Sequence, residues 1–170
     1  MIINTLTGSQ SRYDALSPGE QSYLDSVSAK SRTLLENFCY PEALKLWLGA
    51  KDHLSQQSDV MGNLASCSFY NGQLVQAAAY AFQSGNHENA RRLICHLLTL
   101  APADNHLALV YYLACSLTQL KEWQEAEQLL RQLTKSHPGN SELWLLLAGV
   151  FMEQKRDRKV LYCYRQAGQT

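Results

Sequence analysis

The stretch "SELWLLLAGVFMEQ", residues 141–154, decides the fold, because it has no polar side chain from Leu143 to Met152. Within it, apolar residues recur at the three- and four-residue spacing of a helix, at Trp144, Leu147, Ala148 and Phe151. A surface helix shows one apolar stripe, so this helix needs cover on two sides. The run is too short to cross a bilayer as a helix, which takes about 20 residues.

Related segments recur along the chain. They are "SGNHENARRLICHLLTLAP" (84–102), "LKEWQEAEQLLRQLTKSHP" (120–138) and "QKRDRKVLYCYRQAGQT" (154–170). In this alignment Ala90, Ala126 and Val160 are equivalent, which gives steps of 36 and 34 residues. All four prolines fall where a helix should start or stop. No run alternates with a period of two, so no sheet is predicted.

The period and the residues resemble the tetratricopeptide repeat, a helix–turn–helix unit of about 34 residues. The segment from Trp144 to Phe151 is similar to the core of the family's first helix, helix A. In the preceding repeat, counted from Leu107, the same helix A pattern falls on Val110, Leu113, Ala114 and Leu117. The helix B pattern that follows falls on Ala126, Leu130 and Leu133, and the repeat closes at Pro138. The predicted fold is all-α, a tetratricopeptide-repeat superhelix of antiparallel helix pairs with about 7–9 helices.

We expect a flexible N-terminal arm over residues 1–17 and a single repeat domain over residues 18–170. The domain comprises three clear repeats and one degenerate pair, at 71–106, 107–140, 141–170 and 19–55. The phase before residue 71 stays open. The segment Gly72–Ser84 is either helix A of the following pair or helix B of a short pair. The first alternative is favoured because it puts Ala77 and Ala78 at the positions where helix A of the repeat carries small residues.

The composition is that of a globular protein without net charge. Hydrophobic residues make up 46%, and 15 basic residues balance 15 acidic ones. A basic surface for nucleic acid is therefore not expected. Neither a targeting segment nor a transmembrane segment is recognisable, and we expect a cytoplasmic protein. The five cysteines lie in apolar patterns without a CxxC pair, which favours small buried thiols in a reducing compartment.

The sequence offers no catalytic, cofactor or metal motif. None of the five histidines pairs with another His or a Cys at metal-ligand spacing. Neither a glycine-rich phosphate loop nor a nucleophile elbow is recognisable. We therefore predict that the protein is not an enzyme and needs no cofactor or metal.

The resemblance to tetratricopeptide repeats implies a partner-binding groove lined by helices A. Carried over position by position, the predicted groove residues are Val75, Ala79, Phe82, Ala108, Tyr111, Cys115, Thr118, Leu145, Gly149 and Met152. Lysine and arginine are absent from this set, so the groove does not suit an acidic carboxylate ligand. It is predicted to bind an extended or helical segment with apolar side chains. The alternative is that these residues pack against the protein's own N-terminal segment.

A second predicted surface lies on the last helix, which contains "VLYCY" with no further helix after it. In repeat proteins the terminal helix usually has a polar outer face. We expect a partner, a second copy or the N-terminal arm to cover an apolar surface made by Val160, Leu161, Tyr162 and Tyr164.

The segment "AAYAFQSGNHENARRLICHLLTLAP", residues 78–102, resembles the small tetratricopeptide chaperones of bacterial type III secretion systems. The residues that carry this resemblance are Tyr80, Phe82, Gln83, Ser84, Gly85, Ala90, Leu93, Leu97 and Leu98. It implies a non-enzymatic chaperone that holds a hydrophobic secreted protein, a needle subunit or a translocator, until export. A small helical co-chaperone or a homodimer is also compatible with it. The alternative function is a scaffold or adaptor subunit of a larger protein assembly.

Overall fold

A computed structural model describes residues 16–54 and 57–169. Every regular element in these two ranges is a helix, which confirms the all-α prediction. The helices are α1 (Pro18–Glu36), α2 (Tyr40–His53), α3 (Ser58–Tyr70), α4 (Leu74–Gln83), α5 (His87–Leu100), α6 (Ala103–Gln119), α7 (Trp123–Ser136), α8 (Ser141–Glu153) and α9 (Asp157–Ala167).

The chain divides into two compact units, Met1–Leu93 and Ile94–Thr170, with the division inside α5. The single domain predicted over residues 18–170 stays a prediction. The predicted arm over residues 1–17 lies outside the described residues except for Leu16 and Ser17.

The first described helix has a well-defined start. The Ser17 hydroxyl accepts a hydrogen bond from the Glu20 backbone N–H at 3.3 Å, and the Ser17 N–H donates to the Glu20 carboxylate at 2.8 Å. This reciprocal capping box satisfies two backbone donors that a helix leaves unpaired. Pro18 follows as the first helical residue, where a missing N–H costs nothing.

In the first unit, α1 packs on α2, α2 on α3 and α3 on α4. Its core contains Leu24, Val27, Ala43, Trp47, Ala50, Val60, Leu64 and Cys67. The Trp47 indole N–H donates a 2.7 Å hydrogen bond to the buried hydroxyl of Ser31. The neighbouring Lys30 is exposed, so Ser31 is the residue of this turn of α1 that faces the core.

The helix covered on all sides is α3. Its residues from Val60 to Ser68 are buried except Asn63, which is half-buried. Small residues at Gly62, Ala65 and Ser66 let neighbouring helices approach closely. The sequence analysis singled out only α8 as a helix that needs cover on two sides, and α3 carries fewer large apolar side chains.

In the second unit, α6 packs on α7, α7 on α8 and α8 on α9, and α8 also touches α6. Most residues predicted as the repeat core are buried, among them Leu113, Ala114, Ala126, Leu130, Trp144, Leu147, Ala148 and Phe151. Val110 is only half-buried. The Trp144 indole N–H donates to the Pro138 carbonyl at 2.9 Å, which ties the start of α8 to the turn before it. One side of α8 remains exposed, at Leu145 and Met152.

A left-handed residue follows five of the helices. These residues are Phe38, Gly72, Gly85, Lys121 and Lys155, with φ between 56° and 77°. After α6, for example, the Glu122 N–H bonds to the Leu117 carbonyl at 2.9 Å. This is the helix-ending geometry that glycine adopts at least cost, so the two lysines and Phe38 occupy a conformation unfavourable for residues with a Cβ.

In the first unit α4 packs on α3, and the phase of the repeats before residue 71 stays a prediction. One sequence expectation needs correction. Among the cysteines, Cys67 and Cys163 are buried, but Cys95 is exposed because it lies on the outward face of α5. All five cysteines are free thiols.

Candidate protein-binding surface

The structure places the ten predicted groove residues on three helices. Val75, Ala79 and Phe82 share one face of α4 in the first unit and are half-buried. The Phe82 ring lies 5.2 Å from the ring of His87 at the start of α5. Burial lowers the pKa of His87 below its ordinary value.

The other seven residues lie on α6 and α8 in the second unit. On α6, Ala108, Tyr111, Cys115 and Thr118 share one face, and all four are half-buried. On α8, Leu145, Gly149 and Met152 recur every three to four residues and share the exposed face. We call these seven residues the α6–α8 stripe. The two helices are in contact within the second unit.

The polar groups of the stripe are neutral near pH 7. Burial, with the neighbouring Cys115 as a further cause, raises the pKa of Tyr111 to about 12. Burial also raises the pKa of the Cys115 thiol to about 11. The Glu142 carboxylate at the start of α8 adds to the shift of Tyr111, which places that acid close to the tyrosine.

The stripe is open along α8. The side chains of Leu145 and Met152 are 49% and 50% exposed. Between them, a Cβ added at Gly149 would meet no atom within 4 Å. A partner can therefore approach the helix backbone between two large apolar side chains, which is how small-residue positions form contact pockets.

The charges around the stripe are acidic. The stripe itself contains neither lysine nor arginine, and exposed Glu142 and Glu153 lie on the same side of α8. A carboxylate ligand needs charge-assisted hydrogen bonds from basic side chains, and the stripe provides none. It is chemically suited to apolar side chains, with a polar rim as in protein interfaces.

The four residues predicted for the terminal surface of α9 separate in the structure. Val160 is 7% exposed and belongs to the core, because it occupies the helical position that Ala126 occupies in α7. Leu161, Tyr162 and Tyr164 are exposed. The Tyr162 ring lies 5.9 Å from the Trp144 ring, whereas the Tyr164 hydroxyl reaches the Met152 sulfur at 3.9 Å.

Sequence reasoning missed two arginines on α9. Arg158 and Arg165 are exposed and lie three residues before and four residues after Leu161. Residues at these spacings share a helix face, so the pattern was readable from the sequence. The apolar run between the two arginines is the more prominent pattern in this segment.

The described residues contain no group of three or more His, Cys, Asp and Glu side chains that could hold a metal ion. In the same ranges, every helix is too short or too polar to cross a membrane.

Comparison with known proteins bears on the repeats. Among solved structures, the chain is similar to MamA (the RS-1 ArsTM double mutant), with 15% identical residues, 85% of this chain and 73% of that chain covered, and a TM-score of 0.44. No curated protein matches the chain. The tetratricopeptide repeat family matches residues 81–150 and 117–159. The match covers residues 81–159, which lie on an all-α fold of packed helix pairs.

Proposed function

We propose that this protein is a binding scaffold that holds an apolar segment of another protein on the α6–α8 stripe. Tetratricopeptide repeats are a protein-binding architecture, and their presence over residues 81–159 supports this class of function. The observation that carries the proposal is the stripe itself, which combines exposed Leu145 and Met152 with an open backbone at Gly149. Exposed apolar surface of this kind marks interaction sites in soluble proteins.

The chemistry of the stripe defines the partner segment. The anchors of the partner segment are apolar or aromatic side chains that fit beside Tyr111 and over Gly149. Basic residues at the edge of the segment complement Glu142 and Glu153, which increases the association rate at low salt. The groove residues predicted on α4, Val75, Ala79 and Phe82, extend this proposal to the first unit as a second apolar face.

At a finer level, we propose a cytoplasmic chaperone that keeps a hydrophobic secreted protein, such as a needle subunit or a translocator, unassembled before export. The support is the resemblance of residues 78–102 to type III secretion chaperones, together with the uncharged stripe. The test is co-expression with hydrophobic secreted proteins encoded in the same genome. The proposal predicts that one insoluble partner becomes soluble in a stoichiometric complex. If none of them is solubilised, the alternative of a scaffold subunit in a larger assembly is favoured.

The stripe is tested by placing charge in it. Tyr111→Glu and Leu145→Glu each force a carboxylate into the contact, so we expect a loss of partner binding by about tenfold or more with unchanged helix content. Circular dichroism measures helix content, and titration calorimetry with the solubilised partner measures affinity. If Leu145→Glu binds like the wild type, the stripe is not the site. If Tyr111→Glu unfolds the protein, Leu145→Glu still decides, because Leu145 is half exposed.

A further inference from the structure

Helix α9 repeats α7 at a distance of 34 residues. The helices start at Trp123 and Asp157, and the left-handed residues before them are Lys121 and Lys155. Each residue of α9 can therefore be compared with the residue 34 positions earlier in the same unit. The comparison shows what covers each face of the helix.

On α7, the face made by Glu127 and Leu130 is covered. Leu130 is completely buried, and the Glu127 side chain is 14% exposed. The cover comes from the next repeat. The Arg156 guanidinium, directly before α9, lies 2.9 Å from the Glu127 carboxylate, and Arg131 lies 5.8 Å from the Phe151 ring of α8.

On α9, the same face is made by Leu161 and Tyr164 and is open. Leu161 is 59% exposed and Tyr164 is 45% exposed. The Tyr164 hydroxyl touches Met152 on α8, so this open face continues onto α8. The counterpart of this face on α7 is packed by α8, so the open face lies where a helix packs one repeat earlier.

The charges on α9 define the partner further. In α7, Arg131 pairs with Glu127 one turn before it, at 2.7 Å. In α9, Leu161 replaces that glutamate, so Arg165 has no acid one turn before it. Arg158 and Arg165 are both exposed beside Leu161, and the one acid of α9, Asp157, lies in its first turn. The open face is therefore apolar with a basic border.

We propose that the α9 face, Leu161 and Tyr164 with Arg158 and Arg165, binds an amphipathic helix from a partner protein. The apolar side of that helix, including an aromatic residue, packs on Leu161 and Tyr164 as α8 packs on α7. Its acidic residues pair with Arg158 and Arg165. The α9 face meets the α6–α8 stripe at Met152 but differs from it in charge, since the border of the stripe is acidic and that of the α9 face is basic. The two surfaces therefore select partners of opposite charge.

The test uses a fluorescent peptide of residues 138–154 as the probe, since this segment contains the helix that covers α7. The peptide carries Leu145→Glu and Met152→Glu. These substitutions replace the two large apolar residues that α8 exposes in the protein, and they add acidic side chains to the peptide. Fluorescence anisotropy measures its affinity for the whole protein. We expect saturable binding that weakens about tenfold when salt rises from about 50 mM to about 500 mM.

Two double variants of the protein distinguish an effect of the α9 face on peptide affinity from an effect of net charge. Arg158→Glu with Arg165→Glu should weaken peptide binding by about tenfold or more. Lys30→Glu with Arg32→Glu makes the same change in net charge on exposed positions of α1 and should leave binding unchanged. The proposal is overturned if the peptide does not bind, or if both double variants bind it equally. It is also overturned if sedimentation shows that the protein alone is a dimer that Leu161→Glu dissociates, because the α9 face would then bind a second copy.

Discussion

At the scale of single residues, the buried hydrogen bond between Trp47 and Ser31 shows how a polar side chain is accommodated in the core of the first unit. The indole N–H of a buried tryptophan needs an acceptor, and the Ser31 hydroxyl provides it at 2.7 Å. Without that acceptor, the N–H would lose its bond to water on folding and gain nothing in return.

Ser31→Ala should therefore lower the free energy of unfolding by about 1–3 kcal/mol, the cost of a buried unpaired donor. Ser26→Ala, at an exposed position of the same helix, should leave it unchanged or slightly higher, since alanine favours helix. Urea denaturation of both variants measures the difference. Equal stabilities of the two variants would show that the hydrogen bond contributes little.

His87 gives the first unit a pH dependence. Burial beside Phe82 lowers the pKa of His87 from 6.5, so the unfolded chain takes up a proton at higher pH than the folded chain. The stability that neutral His87 contributes is complete above the unfolded pKa and is lost as the pH falls through the folded one. The pKa values of Glu20 and Glu88 are lowered from 4.5, so these groups change the stability only in more acidic solution.

We expect the urea midpoint of the wild type to fall between about pH 7.5 and about pH 5.5, and His87→Asn to reduce that fall. His106→Asn, at an exposed position, should keep the wild-type dependence. The same pH dependence in all three proteins would assign the effect to other groups.

At the scale of helices and turns, the repeated left-handed residue is the common way of ending a helix in this chain. The left-handed position is occupied by glycine at Gly72 and Gly85 and by lysine at Lys121 and Lys155. A residue with a Cβ is unfavourable there by roughly 1–2 kcal/mol. The turns at Lys121 and Lys155 are therefore less stable than the same turns would be with glycine.

Lys121→Gly should raise the free energy of unfolding by about 0.5–1 kcal/mol, because the released strain exceeds the added entropy of the unfolded chain. Gln128→Gly, at an exposed interior position of α7, should lower it by about 1 kcal/mol. Thermal unfolding compares the two variants. If Lys121→Gly is the less stable of the two, the left-handed geometry is not the dominant effect at this turn.

The helices and much of their core were predictable, whereas the position of each helix within its unit was not. The three- and four-residue spacing identified Trp144, Leu147 and Ala148 as core, and the structure buries them. Spacing alone reports which residues share a face but not what covers that face, so Leu145 was assigned to the groove only by the family resemblance. The structure leaves Leu145 exposed. The all-round burial of α3 was missed for the same reason, since only the packing of α2 and α4 determines it.

For the candidate sites, the repeat pattern assigned seven groove residues to one face of α6 and one face of α8, and their role in binding stays a prediction. It failed at Val160, where an apolar run was taken as exposed although the alignment with Ala126 put this residue in the core. Exposure depends on the rotation of one helix against its neighbours. A run of apolar letters does not contain that information.

At the scale of the whole molecule, binding activity is proposed mainly for the second unit. Half of the large apolar residues exposed in the described ranges lie on α8 and α9. They form two surfaces with opposite borders, acidic Glu142 and Glu153 beside the α6–α8 stripe and basic Arg158 and Arg165 on the α9 face. On a chain with zero net charge, these two borders are proposed to favour partners of opposite charge.

The most direct test of the central claim is partner recovery from the native host by tagged Gly149→Gln and Gly49→Gln variants. Both glycines lie inside exposed helix faces with no atom within 4 Å of an added Cβ, so both substitutions should stabilise their helix by about 0.5–1 kcal/mol. Only Gly149→Gln puts a polar side chain into the α6–α8 stripe. The account predicts that the wild type and Gly49→Gln recover the same partner in equal yield and that Gly149→Gln recovers about tenfold less. Equal recovery by Gly149→Gln and the wild type would contradict it.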